Sequence, residues 1–283
     1  MIRVAIQTKG RLNDESLSLL RDSGLNLELS KRKLISKCSD FPLEILYLRD
    51  DDIPDAVSSG IADIGIVGYN EVLEKRSDLV IDKKLSFGKC RLSLAIPKTD
   101  LYCGVEYFNN KRVATSYPNI LERYFKERGV SAKIHQIAGS VEIAPSVGMS
   151  DAIFDIVGTG ATLISNGLKE VEVVLESQAV IVANKELSLE KRKIVDQLIV
   201  RVEAVERSRG MKYLLINLPD NMIDKASSIV PGLRSPTILP LSQKGWCSMH
   251  VAVSENGLWP KLEELKAIGA EGILVLSLDK ILP

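Results

Sequence analysis

Apolar residues in this chain fall into short runs separated by amphipathic stretches, and the alternation predicts its elements. Ile2 to Thr8 is a β-rich run, followed by Lys9-Gly-Arg-Leu12 and a helix from Asp14 to Asp22 that stops at Gly24. Leu43 to Leu48 gives a second strand, and Arg49-Asp-Asp-Asp-Ile-Pro54 leads into a short helix with Pro54 in its first turn. Asp63 to Val67 gives a third strand, ended by Gly68. Strands alternating with helices in this way predict parallel βα units in an open α/β sheet, with the strand ends facing one crevice.

A second set begins near Cys90. Arg91 to Ile96 and Arg112 to Thr115 read as strands, Leu121 to Arg128 as a helix, and Asp151 to Leu163 as a strand turning into a helix. Val171 to Leu175 and Ala179 to Ala183 read as strands that return to the first lobe, and Leu189 to Arg207 as a long helix with apolar residues at helical spacing. The prediction is two α/β lobes joined by a crossing chain, residues 1–90 with 175–208 forming the first and 91–174 the second. Ser208-Arg-Gly210 marks a linker to residues 209–283. There the order is strand (Lys212 to Leu218), helix (Asn221 to Val230), strands (Thr237 to Leu241 and Trp246 to Val253), helix (Leu258 to Ile268) and strand (Gly272 to Asp279). That βαββαβ order is the ferredoxin-like one, common in small ligand-sensing domains.

Composition narrows the function. The 283 residues are 45% hydrophobic and 26% charged, core material for more than one domain. Lys+Arg and Asp+Glu balance at 37 each, so no global field favours nucleic acid and no acidic excess predicts disorder. Cys38, Cys90, Cys103 and Cys247 are scattered without a CxxC pair, and only His135 and His250 could join them, which argues against a structural zinc site. Met1 to Thr8 is too short and too polar afterwards for a signal peptide, and no apolar run approaches the ~18 residues of a membrane span. The expectation is a cytoplasmic protein with reduced thiols that engages neither nucleic acid nor membrane.

Candidate chemistry concentrates in Asp151-Ala-Ile-Phe-Asp-Ile-Val-Gly-Thr-Gly-Ala-Thr-Leu163. Gly158 and Gly160 remove side chains that would block an anion, Thr159 and Thr162 add hydroxyl donors, and free backbone N–H groups at a helix start favour a phosphate. Asp151 and Asp155, upstream, would repel phosphate but accept hydrogen bonds from sugar hydroxyls. A phosphorylated ribose satisfies both halves, although such turns also close ordinary strand-to-helix connections. Asp155, inside an apolar run, needs a partner more than Asp151, which could end as a solvated carboxylate. Lys9, Arg11 and Arg49 lie just after strands of the first lobe, and Gly10 lets the backbone approach a ligand there. An arginine fork can grip phosphate oxygens in a bidentate way, so Lys9, Arg11 and Arg49 are candidates for binding polyphosphate; pairing of Arg49 with Asp50 to Asp52 is the alternative. Lys31-Arg-Lys33 is read first as a solvated basic run and second as a source of one more clamp residue.

The chain resembles the long form of the ATP phosphoribosyltransferase family over essentially its whole length. The matching blocks are Gln7 to Leu12, Leu48 to Pro54, Asp63 to Gly68, Phe87 to Ala95, Arg112 to Pro118, Gly139 to Pro145, Asp151 to Leu163 with Asn166 to Leu168, and Pro231 to Pro240. The resemblance implies two catalytic lobes like those of type II periplasmic binding proteins and a C-terminal regulatory domain. It implies attack by N1 of the ATP adenine on C1 of phosphoribosyl pyrophosphate with loss of pyrophosphate, magnesium as cofactor, and histidine as feedback inhibitor. It also implies a homo-oligomer, with dimers and hexamers expected. Under it, Gly158, Thr159, Gly160, Ala161 and Thr162 hold the 5′-phosphate, Asp155 and Asp151 the ribose, and Glu142 the ribose or magnesium, with a surface charge at a helix start the alternative for Glu142. Lys9, Gly10, Arg11, Arg49, Asp63 and Gly68 serve the nucleotide and pyrophosphate, with Arg11 and Arg49 as the candidate catalytic residues that stabilise charge on the departing pyrophosphate, and with tight packing the alternative for Asp63 and Gly68. Ser235 and Thr237 offer hydroxyls to the effector, with turn chemistry around Pro236 the alternative. Tyr117 reads as a hinge-packing aromatic, and no dedicated base is required. The competing reading is a non-catalytic cytoplasmic binding protein with an amino-acid-sensing domain, which would have no use for a phosphoribosyl clamp.

Overall fold

The computed structural model describes residues 1–28, 34–75 and 78–282, so the basic run Lys31-Arg-Lys33 lies outside the described residues. The chain divides into two compact units, Met1–Ile199 and Val200–Pro283.

Unit 1 is built on two mixed sheets. The first contains β1 (Ile2–Gln7), β2 (Ile35–Lys37), β3 (Leu43–Leu48), β4 (Ile64–Gly68), β5 (Val80–Lys84) and β11 (Ala179–Ala183) in the order β2-β3-β1-β4-β11-β5. β1 pairs in parallel with β3 and β4, whereas β11 runs antiparallel to β4 and β5. β1, β4 and β11 are near-continuous apolar runs because both sheet faces are covered, and Ile2, Val4, Ala5 and Ile6 are fully buried. Helices α1 (Arg11–Asp22), α2 (Ile53–Ser58) and α3 (Tyr69–Lys75) each begin just past a strand or its turn.

The second sheet has the order β10-β6-β9-β7-β8, from β6 (Cys90–Pro97), β7 (Arg112–Thr115), β8 (Lys133–Gln136), β9 (Ala152–Val157) and β10 (Leu168–Ser177). α4 (Pro118–Arg128) starts with proline at its first position and ends at Gly129 in the left-handed region (φ 68°), as the two residues' backbone preferences dictate. Its Ile120, Leu121, Tyr124 and Phe125 recur at helical spacing and pack on Phe108 and Phe154, both fully buried. Loss of either ring should cost about 3–5 kcal/mol. α5 (Ala161–Ser165) follows the glycine turn. β10 stays in this sheet through Ser177 and the chain crosses back at Gln178, slightly beyond the boundary expected at residue 175.

Unit 2 contains β12 (Met211–Pro219), α7 (Ile223–Ile229), β13 (Thr237–Pro240), β14 (Trp246–Ser254), α8 (Leu258–Ala267) and β15 (Glu271–Ser277). The antiparallel sheet order β13-β14-β12-β15 is the ferredoxin-like topology. Leu214, Ile216 and Leu218 alternate along β12 into its core. The two units divide inside α6 (Leu189–Ser208), between Ile199 and Val200. Ser208-Arg-Gly210 does not loosen the chain: Ile281 N–H donates to Ala204 O at 2.9 Å, Ser208 Oγ donates to Asp279 O at 2.8 Å, and Gly210 only closes the helix.

Candidate functional site

β9 delivers the glycine turn to the end of the second sheet. Gly160 adopts φ 80°, a left-handed geometry that a side chain would resist, and the Thr159 hydroxyl accepts the Ala161 N–H at 3.4 Å. The turn is anchored from β6, where Arg91 donates through Nη1 to Gly158 O at 2.9 Å. Its other nitrogens form a fork on Glu170, with Nη2 to Oε2 at 2.7 Å, and Ser93 Oγ donates to the same carboxylate. Because the peptide is planar and trans, a Gly158 carbonyl turned toward Arg91 leaves the Thr159 N–H directed to the opposite side. Gly158, Thr159, Gly160 and Thr162 line a cavity of about 400 Å³ together with Asp155 and Glu142. Burial pushes the Asp155 carboxyl up to about 6, and the charge of Glu142 adds to the rise against one backbone N–H that lowers it. Glu142 is presented by a 3-10 turn, Val141–Ile143, whose preceding Ser140 sits at φ 53°.

The first lobe brings its candidates to neighbouring cavities. Gly10, at φ 96°, caps α1, and Arg11 opens the helix. Arg11 lines a cavity of about 380 Å³ that includes Glu71, Asp50, Lys89 and Gly158, so the two lobes meet at this space. Arg49 lines a second, of about 390 Å³, with Asp50, Asp51, Glu71 and Tyr117. Both guanidinium side chains are largely exposed, 83% and 77%, and each meets a local carboxylate (Glu15 and Asp51) at 3.2 Å through Nε. Such exposed pairs are weak and leave the remaining N–H groups for a ligand. A methyl group at Gly68 would come 2.5 Å from Asn70 Oδ1, which gives this glycine a packing reason as well.

Between the lobes lies a polar cluster that sequence reasoning passed over. Tyr117 hydroxyl donates to Glu71 Oε1 at 2.9 Å, Asn70 Nδ2 donates to the same oxygen at 2.8 Å, and Ser177 Oγ donates to Asn70 Oδ1 at 2.8 Å. Burial raises the Glu71 carboxyl to about 7, the Tyr117 hydrogen bond lowers it, and the charges of Asp50, Asp51 and Glu74 raise it again. Glu74 accepts the N–H groups of Asn119 and Ile120 at 2.9 and 3.0 Å and so caps α4 from the other lobe. The one available signal was Asn-Glu-Val-Leu-Glu following an apolar strand, and nothing in its local pattern says that its acids are buried.

Other expected residues lie elsewhere. Asp151 precedes β9, at the opposite end of that strand from the glycine turn; Arg112 takes both its oxygens, with Nη2 to Oδ1 at 2.8 Å, and holds the carboxyl down to about 2. Asp63 precedes β4, at the opposite end of that strand from Gly68, where it accepts the Arg3 N–H and pairs with Lys191 at 2.8 Å. The structure therefore does not bring Asp151 and Asp63 together with the other candidates, because a strand separates each from the crevice end. Lys9 is exposed beside Gly10 and lines none of the cavities described. Ser235 and Thr237 are exposed in unit 2, Thr237 opening β13.

The family model of ATP phosphoribosyltransferase (HisG) matches residues 49–204, and that of the HisG C-terminal domain matches residues 208–280. The chain belongs to the ATP phosphoribosyltransferase family. An ATP phosphoribosyltransferase of Bacteroides fragilis is 50% identical over 282 residues, covering 100% of both chains, and one of Parabacteroides distasonis is 51% identical over the same length. Among solved structures, the ATP phosphoribosyl transferase (HisG:HisZ) complex from Thermotoga maritima aligns with a TM-score of 0.63 at 31% identity, over 71% of this chain and 96% of that one. The substrate-binding protein of an amino acid ABC transporter aligns with a TM-score of 0.50 at 12% identity, over 74% and 94% of the two chains. That second likeness shows the fold alone: two periplasmic-binding-protein-like lobes. The C-terminal domain distinguishes the long form, and the match over residues 208–280 places this chain with it. Among the described residues, no helix is long and apolar enough to cross a membrane.

Proposed function

We propose that the crevice of unit 1 transfers the phosphoribosyl group of phosphoribosyl pyrophosphate to N1 of the ATP adenine, releasing pyrophosphate, as the first step of histidine biosynthesis. The observation that carries the reading is the cavity in which the Gly158–Thr162 turn, Asp155 and Glu142 face one space, in a chain matching the family from end to end. The turn's N–H groups and the Thr159 and Thr162 hydroxyls hold the 5′-phosphate. Asp155 accepts hydrogen bonds from ribose hydroxyls; with its carboxyl near 6 it is ionised at neutral pH.

Substitution at C1 of a ribose passes through an oxocarbenium-like state, so charge placement matters more than a protein nucleophile. The C1–O bond to pyrophosphate breaks, the bond from adenine N1 to C1 forms, and the positive charge that develops on the ring lies beside the Asp155 carboxylate. Arg11 and Arg49 serve the departing pyrophosphate, whose charge grows as the bond breaks. Fixing both substrates in one crevice supplies the orientation that solution lacks.

Magnesium fits this donor set in one manner. Among the described residues no group of three or more His, Cys, Asp or Glu side chains forms a cage. Asp155 and Glu142 offer a two-carboxylate face of the kind that supports a hydrated ion carried mainly by substrate phosphates. When bound, the ion would neutralise pyrophosphate charge. Histidine is the expected inhibitor, acting through unit 2.

Mixing the protein with ATP, phosphoribosyl pyrophosphate and magnesium, and following the absorbance of the adduct alongside pyrophosphate release, tests the reading. Absence of pyrophosphate release across pH and magnesium concentration would leave a binding protein and overturn it.

A further inference from the structure

We infer that a cavity of about 510 Å³ beside Gly158 binds a polyphosphate chain through the ammonium groups of Lys84 and Lys89. The inference rests on the proposed reaction for the identity of its ligands, the triphosphate of the nucleotide and the pyrophosphate of the donor, which present the same chemistry.

Charge is what separates this cavity from its neighbours. The cavity of the glycine turn sets Glu142 and Asp155 against no cation of its lining. The cavity of Arg49 opposes that residue with three carboxylates, and the cavity of Arg11 and Lys89 likewise contains three. The turn's N–H groups and the two arginines answer the 5′-phosphate and part of the pyrophosphate, but the carboxylates beside them leave the rest of the charge on two phosphate-rich substrates without a matching cation. The fourth cavity reverses the balance: Lys84, Lys89 and Arg91 face Glu176 as its one carboxylate.

Arg91 is not the free charge of the three. Its fork is spent on Glu170 and its remaining nitrogen on Gly158 O, so it shapes the turn. Among the described residues, no ion pair or hydrogen bond holds the ammonium of Lys84 or of Lys89, and that of Lys84 lies 5.8 Å from the Tyr69 ring centre. A compact ammonium on a flexible stem can follow a phosphate chain without demanding one geometry.

The backbone under both lysines is fixed. Lys84 ends β5, in register with Val180 of β11. Lys89 follows Gly88, which at φ 64° packs so closely that a methyl group would meet Ala179 and Leu12 at 3.2 Å. Gln178 Nε2 ties the intervening loop by donating to Leu85 O at 2.9 Å. The cavity shares Lys89, Cys90 and Gly158 with the space that contains Arg11, so a ligand held at the crevice can extend its phosphates into it.

The test pairs direct binding with kinetics on the full chain, using a Lys84→Gln, Lys89→Gln double variant and, as the control, Lys126→Gln on the exposed face of α4. Calorimetry with inorganic tripolyphosphate should show affinity about tenfold weaker in the double variant, with a smaller dependence on salt, and unchanged in the control. Initial rates should show a KM raised by a similar factor. A rise confined to ATP assigns the site to the triphosphate, and a rise confined to phosphoribosyl pyrophosphate assigns it to the pyrophosphate. Unchanged tripolyphosphate affinity together with both KM values unchanged would overturn the inference. A chain that binds tripolyphosphate through these lysines yet turns over nothing sinks the transferase reading and keeps the polyphosphate site.

Discussion

Asp155 sits in the strand run Ala152–Val157, where burial and the neighbouring Glu142 push its carboxyl up to about 6 from an ordinary 3.8. The folded chain therefore holds this proton more tightly than the unfolded chain does. Its contribution to stability is full below about 3.8 and is lost as pH rises through about 6, above which the ionised group costs on the order of 1–2 kcal/mol after allowance for its partial exposure. Asn at this position has no such cost. Asp155→Asn should melt at a higher temperature than the native chain at pH 8, with the difference closing as pH falls through 6 toward 3.8, as scanning calorimetry would show. The same change removes the charge next to the developing oxocarbenium ion, so kcat/KM should fall about a hundredfold. A variant that is neither more stable nor slower would mean that Asp155 is a satisfied structural carboxylate.

α4 shows how an element can depend on a residue far away in sequence. Its own first turn supplies no side-chain cap, and Glu74 from α3 provides both hydrogen bonds instead. Glu74 is 7% exposed, so removing it strands one buried and one part-buried N–H group and deletes a negative charge at a helix N-terminus. Glu74→Ala should cost about 2 kcal/mol, a fall in Tm of about 4–8 °C, with Glu74→Gln retaining roughly half because an amide oxygen still accepts. Equal melting of the alanine variant and the native chain would refute the cap. This element also marks where sequence reading stopped. Buried strands such as Ile2–Gln7 and Ala179–Ala183 announce themselves by apolar runs, broken in the first only by Arg3 before its terminal Gln7, and the glycine turn by its composition. β5, reading Val-Ile-Asp-Lys-Lys, is a polar edge strand that only its pairing with β11 defines. Likewise Asn70, Glu71 and Glu74 look like the solvated face of a helix until Tyr117, Ser177 and α4 arrive from the second lobe. Asp151 shows the reverse error of proximity in sequence: it belongs to the signature stretch, yet six residues of strand carry it away from the turn, to Arg112.

At the scale of the whole molecule, the question is how a ligand of unit 2 could govern chemistry in unit 1. The HisG match ends at residue 204 and the C-terminal match begins at 208, so α6, continuous from Leu189 to Ser208, carries residues of both matched regions. Inhibition that works by weakening ATP binding rests on a coupling free energy between sites, and such coupling is reciprocal: if histidine weakens ATP binding by some factor, ATP weakens histidine binding by the same factor. Ser235 and Thr237 are exposed and flank Pro236, with Thr237 opening β13, and their hydroxyls are the proposed contacts for the effector. Replacing both, Ser235→Ala with Thr237→Val, removes two hydrogen bonds at about 1 kcal/mol each, so the histidine concentration that halves the rate should rise about tenfold or more. The measure is the ratio of inhibited to uninhibited rate in each protein, with calorimetric titration of histidine in the presence and absence of ATP. Undiminished inhibition of the double variant, with its histidine affinity unchanged, would remove these two hydroxyls from the effector site. Histidine that binds the native chain with equal affinity whether or not ATP is present would deny the reciprocal coupling, since no ligand indifferent to the other's occupancy can regulate its binding.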